Sequence, residues 1–310
     1  MLMHSHAAHT GAWSSNMDNV DNRLKTSTVH PDASKHFQVE YDKSLSILWG
    51  RFVTQSSTRF TLELLSEMKD HDIRLIPQEA GGIKTGSGDR FDFYVWASCI
   101  PGVFSLGGDL RYMVDCIRAK DRDALINYAI LGVDVMYPRV CNYHSSAMIT
   151  LALVQGDALG GGFEAALAND VIIAEEQARF GLPETAFNLF PGTGAYSLLS
   201  RRIGPRLAKE MMLSGKRYSA SECLEMGIID EVAPKGQGIT AVNEYVSKIR
   251  PHKNGVAGVY HARRTVLPIT HEELTATTTQ WVDAALRVEE KDLRMMMKLV
   301  TQQQRRLENF

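Results

Sequence analysis

The chain is 310 residues long, enough for one large domain or one domain with appendages. Its 44% hydrophobic and 23% charged content is that of a soluble globular protein with a sizeable core, and a net charge of −2 gives no sign of a nucleic-acid or bulk membrane-surface binder. No apolar run approaches the ~20 residues of a membrane span, the N-terminus has no signal pattern, and the four cysteines (Cys99, Cys116, Cys141, Cys223) include no C-x-x-C pair, so the expected setting is a reducing cytoplasm.

Residues 1–36 are polar and mixed in character and read as a flexible extension. His4, His6 and His9 fall there with no cysteine or carboxylate at ligand spacing, and no metal is expected. From Phe37 the pattern alternates: Phe37 to Tyr41 and Leu45 to Val53 read as a β-hairpin. Phe60, Leu64, Leu65 and Met68 recur at helical spacing within residues 59–70, residues 78–90 form a glycine-rich loop, and residues 92–98 form a buried strand. The turn Leu106-Gly107-Gly108-Asp109 opens a helix near Met113, with Asp109 at its start, where exposed amides favour a carboxylate. Residues 121–138 make a helix that Pro138 stops, and residues 147–154 the central strand.

The stretch that organises the chain follows. The apolar run Leu151 to Val154 leads to Gly160-Gly161-Gly162, where a helix carrying Glu164 begins; a second apolar run, Val171 to Ala174, precedes Gly181-Leu-Pro-Glu184. Glycines between a strand and a helix let the backbone approach a ligand and leave free N–H groups at a helix start. An oxyanion hole pairs two such donors, and the Leu106–Asp109 turn offers the second. Glu164 sits in apolar company, and two carboxyls in a partly dry pocket acquire the raised, coupled pKa values of general acids and bases. Each feature also has a plain reading: tight packing for the glycines, helix-start charge for Glu184. Glu175 and Glu176 read as solvated.

Beyond Tyr196, residues 197–213 are helical and hold Arg201, Arg202, Arg206 and Lys209; Ser219 and Glu222 form a capping box; residues 227–232 are strand-like. Helix signals then dominate at residues 241–249, 255–266 and a long stretch from His271 to about Arg306. The expected organisation is an extension (1–36), an α/β core holding the active site (37–240) and a C-terminal helical region (241–310).

The motifs ALGGGFEAAL, GLPE and FSLGGDL resemble the crotonase, or enoyl-CoA hydratase/isomerase, superfamily over roughly residues 37 to 306. The resemblance implies a crotonase-like ββα superhelix core with a C-terminal helical trimerisation or lid region. It also implies oxyanion amides at Gly108 and Gly161, catalytic Glu164 and Glu184, no cofactor, and trimers or hexamers whose C-terminal helices cover a neighbouring site.

LVQGDALGGGFEAAL, FNLFPGTGAYS, QWVDAAL and LVTQQQRR look more narrowly like the diffusible signal factor synthases of the RpfF type. These dehydrate a 3-hydroxyacyl chain on acyl carrier protein to the cis-2-enoyl thioester and hydrolyse it, releasing a quorum-sensing fatty acid. An ordinary enoyl-CoA hydratase/isomerase on acyl-CoA is the alternative. A long acyl tail needs an apolar tunnel, for which Leu159, Phe187, Leu189 and Phe190 are candidates and Trp281 is added by the QWVDAAL resemblance, with ordinary core packing as the plain reading of each; the resemblance also puts position 193 in the pocket, where Thr193 stands in place of the relatives' methionine. It implies a sensor-kinase receiver domain as a partner. Arg201, Arg202, Arg206, Lys209, Arg305 and Arg306 are candidates for an acidic carrier surface or a CoA phosphate, and Met295 to Met297 for adaptable lining or helix packing.

Overall fold

The computed structural model describes residues 34–54, 58–77, 82–86 and 88–308; His4, His6 and His9 lie outside them. The first half runs β1 (Phe37–Asp42), β2 (Ile47–Phe52), α1 (Leu62–Asp72), β3 (Ile76–Pro77), β4 (Ile83–Lys84), β5 (Arg90–Phe91), β6 (Phe93–Ser98), β7 (Val103–Ser105), α2 (Leu110–Ala119) and α3 (Arg122–Val140). Then come β8 (Ile149–Val154), β9 (Asp157–Leu159), α4 (Gly161–Leu167), β10 (Val171–Glu175), β11 (Arg179–Gly181), a 3-10 turn (Pro183–Phe187) and α5 (Ala195–Ser214). The chain ends with β12 (Arg217–Ser219), α6 (Ala220–Glu225), β13 (Glu231–Ala233), α7 (Gly238–Ile249), α8 (Lys253–Val266), α9 (His271–Ala285) and α10 (Glu290–Leu307).

Three times the chain passes from a strand of one sheet into a strand of a second and then into helix: β6–β7–α2, β8–β9–α4, and β10–β11–3-10 turn. This is the expected ββα superhelix. The first sheet has the order β1-β2-β6-β8-β10-β13 and is parallel except for the β1–β2 hairpin. The second has the order β12-β11-β9-β7. β8 and β10 are buried along their whole length, as strands covered on both faces must be, which is why they read as unbroken apolar runs. One face of the first sheet packs on α7 and α8 through Leu151, Leu153, Ile173 and Val246. The other faces the larger core that surrounds the site.

Several expectations need correction. Pro138 does not stop its helix; α3 continues to Val140. Arg139 takes over there, donating to the Val135 carbonyl at 2.7 Å and to buried Asp72 at 2.6 and 3.0 Å. The glycine-rich loop contains the short antiparallel strands β4 and β5. The long terminal stretch is two helices, broken between Ala285 and Glu290. Residues 227–232 contribute only the start of β13. Glu175 is buried, not solvated. The Ser219–Glu222 capping box is present with both of its bonds. The N-terminal boundary falls inside a docked segment, because the amides of Lys35, His36 and Phe37 all donate to the Glu67 carboxylate.

Among the described residues, no helix is long and apolar enough to cross a membrane, and no group of His, Cys, Asp or Glu is arranged to hold a metal ion.

Candidate active site

The glycine turn after β9 is shaped by what lies against it. Gly160 has φ +52, and a Cβ there would lie 2.4 Å from Glu184 Oε1, so only glycine leaves room for that carboxyl. A Cβ on Gly162 would lie 2.2 Å from the Ser105 carbonyl oxygen, so α4 packs directly on β7. Between them, Gly161 opens α4, where the first amides of a helix have no partner within it.

The Leu106–Asp109 turn meets this turn. A Cβ on Gly161 would fall 3.5 Å from the Gly108 nitrogen. Segment 58–60 runs alongside: Leu106 N donates to the Thr58 carbonyl and Phe60 N to the Gly107 carbonyl, 2.6 and 2.8 Å. Neither the Gly108 nor the Gly161 amide donates to another protein group among the described residues. Both glycines line one cavity. Asp109 caps α2 as expected, accepting from Arg111 N and Tyr112 N.

Glu164, in the first turn of α4, is 1% exposed, and its Oε1 accepts from Thr193 N at 2.9 Å and Ala195 N at 2.8 Å. It thereby holds the Gly192–Ala195 loop, at the start of α5, against the cavity. Burial pushes its carboxyl up to about 7, against the pull of the Ala195 and Thr193 amides. Glu184 lies in the 3-10 turn, where Pro183 fixes the backbone at the start. Its Oε2 is buried without a hydrogen-bond partner. Burial, and then the charge of Glu164, push Glu184 up to about 8. Two interacting carboxyls of this kind titrate as a pair, which carries one proton on average between the two values.

The cavity encloses about 1500 Å³ of empty space, part of it open to solvent, and brings together Gly108, Gly161, Glu164 and Glu184 with Leu159, Phe187, Thr193 and Trp281 from the expected acyl pocket. Leu189 and Phe190 do not line it. Asn188 ends the 3-10 turn in the left-handed conformation (φ 61), and Leu189 then packs with Trp281 and Met296 in a separate apolar cluster that Phe190 also joins. Sequence reasoning missed Met113, Tyr128 and Gly132, which come from α2 and α3, and Gln303 from α10, whose Oε1 is buried without a partner. No motif marks them; helix packing alone turns them inward.

The C-terminal helices pack on the core of their own chain. α9 packs on α3, and α10 packs on α2 and on the turn carrying Glu184. Trp281, Leu299 and Gln303 from these helices therefore close the cavity of their own chain. Met296 is packing and none of Met295 to Met297 lines the cavity. Arg201 is paired with Glu273 at 2.8 Å, and Arg202 donates to the carbonyls of Asn169 and Ile228; neither reaches the cavity. Arg206 pairs with Glu210 on the surface. The arginine that does line the cavity is Arg217, beside Asp157 at 3.6 Å.

The enoyl-CoA hydratase/isomerase family model matches residues 89–256, which contain both glycine turns and both glutamates. The chain is 30% identical over 169 residues to probable enoyl-CoA hydratase 2, mitochondrial, of Arabidopsis thaliana; the match covers 54% of this chain and 53% of that protein, so it spans about half the length of that curated relative. Among solved structures, the enoyl-CoA hydratase of Bacillus halodurans superposes with a TM-score of 0.68 at 18% identity, covering 85% of this chain and 99% of the other. Pseudomonas aeruginosa DspI superposes with a TM-score of 0.60 at 23% identity, covering 84% and 95%. These two likenesses concern the fold. With more than half of its length matched by the family model, the chain belongs to the enoyl-CoA hydratase/isomerase family of the crotonase superfamily.

Proposed function

We propose that the protein acts on an acyl thioester as a signal-type synthase, dehydrating a 3-hydroxyacyl thioester to the cis-2-enoyl thioester and hydrolysing it to the free acid. The observation that carries the thioester reading is one cavity holding two uncommitted amides, Gly108 and Gly161, and two carboxyls of raised pKa, Glu164 and Glu184. The thioester oxygen sits between the two amides. Loss of the α-proton to one carboxyl makes an enolate on that oxygen, and each donor lowers the barrier by roughly 3 kcal/mol. The other carboxyl protonates the departing 3-hydroxyl, and water leaves. In the second step water attacks the carbonyl, the same amides hold the tetrahedral oxyanion, and the carrier thiol departs with a proton.

We assign the negative charge of the singly protonated pair to Glu164, which two amides stabilise, and the proton to Glu184, whose Oε2 has no hydrogen-bond partner. In that form Glu164 is the base toward water and Glu184 the acid. Both carboxyls are raised by burial, so either can carry the proton as the reaction passes from water loss to water attack.

What favours release of a fatty acid over simple hydration is the set of stretches resembling the signal synthases. FNLFPGTGAYS supplies the loop on Glu164, and QWVDAAL supplies Trp281 against it: a Cβ on Gly192 would lie 2.3 Å from the indole. The second reading, reversible hydration of an enoyl-CoA, is favoured by the family match and by the relative from Arabidopsis thaliana, and uses the same four groups. The carrier is proposed to be acyl carrier protein, with CoA as the alternative. Homotrimeric or hexameric assembly and control by a receiver domain belong to the same proposal; Val259 and Val266 of α8, 68% and 76% exposed, are surfaces that assembly would cover.

Incubating the purified protein with 3-hydroxydodecanoyl thioester, on carrier protein and on CoA, and identifying the fatty acids by mass spectrometry separates the readings. Free cis-2-dodecenoic acid is expected. Reversible hydration with no free acid would leave the hydratase reading in its place.

A further inference from the structure

In a trans peptide the carbonyl and the following N–H point in opposite directions. The Gly107 carbonyl accepts from Phe60 N at 2.8 Å, so the Gly108 N–H of the same peptide group is turned away from the Phe60 segment. The aim of that amide therefore depends on where Phe60 and the Gly107–Asp109 backbone are held relative to each other. One side chain touches both. Tyr128, from α3, donates its hydroxyl proton to the Phe60 carbonyl at 2.6 Å and accepts from Asp109 N at 2.8 Å.

Tyr128 is 4% exposed and lines the cavity, and burial holds its phenol well above the usual range, so both of its bonds are made by the neutral hydroxyl. Its oxygen lies 3.2 Å from where a Cβ on Gly108 would stand. Phe60 and Gly108 are also paired as an isolated parallel bridge, which the phenol closes at one end.

We infer that Tyr128 is a positioning residue for the reaction: its hydroxyl clamps the Phe60 carbonyl to the Asp109 amide and so aims the Gly108 N–H at the thioester oxygen. This rests on the oxyanion reading of Gly108 and Gly161 proposed above. A bond to each neighbour of a catalytic amide fixes it before substrate arrives, and preorganisation of this kind is what makes such donors effective. Loss of the clamp leaves the Gly108 amide in place but free to turn. Substrate still binds through its acyl chain, so the cost falls on the chemical step more than on binding.

The test is Tyr128→Phe, which keeps the ring and its packing on Tyr112 (centroids 5.1 Å apart) and removes only the hydroxyl. The direct readout is the infrared carbonyl band of a bound decanoyl-CoA analogue with methylene in place of the thioester sulfur and carbon-13 at the carbonyl. That probe can be neither dehydrated nor hydrolysed. In the parent protein the band shifts to lower frequency on binding; in Tyr128→Phe the shift is expected to fall by about half or more, with kcat down about 10- to 100-fold and KM within about threefold. Tyr112→Phe is the packing control and leaves all three unchanged. A full band shift and parent kcat in Tyr128→Phe would overturn the inference alone. No band shift in the parent protein would overturn the oxyanion reading and the inference with it.

Discussion

Two glutamates close in sequence and equally buried have been put to opposite uses. Glu175, at the end of β10, accepts from Gly236 N and Gly238 N at the start of α7, 2.9 and 3.0 Å, and from Gln177 Nε2 at 2.6 Å. Glu164 likewise holds backbone amides at the start of a helix, those of Thr193 and Ala195 ahead of α5. Both oxygens of Glu175 are spent on these donors, and the residue does not line the cavity that holds Glu164. Glu164 commits Oε1 to the backbone, remains a wall of the cavity, and faces the charge of a second carboxyl. A buried carboxylate with its donors fully assigned is a staple between elements. The same device beside empty space and a second acid is, in the proposed reaction, a base.

The largest effect that tests this contrast is on turnover. Glu164→Gln and Glu184→Gln should each lower kcat by about 10²- to 10⁴-fold while the protein stays folded, as loss of a general acid or base does. Glu175→Gln should do the reverse, leaving kcat near the parent value while urea denaturation shows a loss of about 2 kcal/mol, the scale of hydrogen bonds to a charged group. If Glu175→Gln abolished turnover with its stability intact, the division between staple and base would be broken.

A second effect separates the sites by pH. A carboxyl raised from 4.5 to about 8 on folding ionises in the unfolded chain first. Glu184 therefore costs no stability below about pH 4.5, a growing amount as pH rises toward its folded value, and a constant amount above it. From 4.5 to about 8 the full penalty is on the order of 5 kcal/mol. Glu184→Gln should remove it, so that the variant becomes more stable than the parent in mildly alkaline buffer while the two converge in acid. Thermal unfolding across the pH range gives the comparison, and parallel curves would sink the raised value.

The smallest effect concerns the cavity rather than the acids. Gly132 of α3 lines it, and a Cβ there would stand 3.7 Å from Thr193 Cγ2, an ordinary contact with room beyond. Gly132→Leu should fill the cavity and shift preference toward shorter acyl chains by about 1–3 kcal/mol, the worth of a methylene or two in an apolar pocket. Competition between a short and a long 3-hydroxyacyl thioester reads that shift directly.

How much of this was legible in the sequence depends on whether a residue's surroundings are local. Gly160 to Glu164, Glu184 and the Leu106–Asp109 turn sit in contiguous motifs, and their mutual geometry follows from strands that end side by side: β7, β9 and β11 are neighbours in the second sheet. Glu175 looked solvated beside Glu176 and Gln177 because its partners, Gly236 and Gly238, arrive from a distant loop. Leu189 and Phe190 looked like pocket residues because they adjoin Phe187, but one left-handed residue, Asn188, sends the chain into another cluster. Tyr128 was invisible for the opposite reason: nothing in a helical stretch says that one phenol will meet two backbone groups of another loop.

The central claim is that Glu164 and Glu184 share one proton between about pH 7 and 8, and carboxyl infrared difference spectroscopy measures it most directly. The parent protein should keep a buried carboxylic-acid C=O band above about pH 7 that disappears as pH rises past about 8, and Glu184→Gln should lose that remaining band while keeping the Glu164 acid band at lower pH. A parent spectrum with both carboxyls ionised at neutral pH, or a band above about pH 7 untouched by Glu184→Gln, would contradict it.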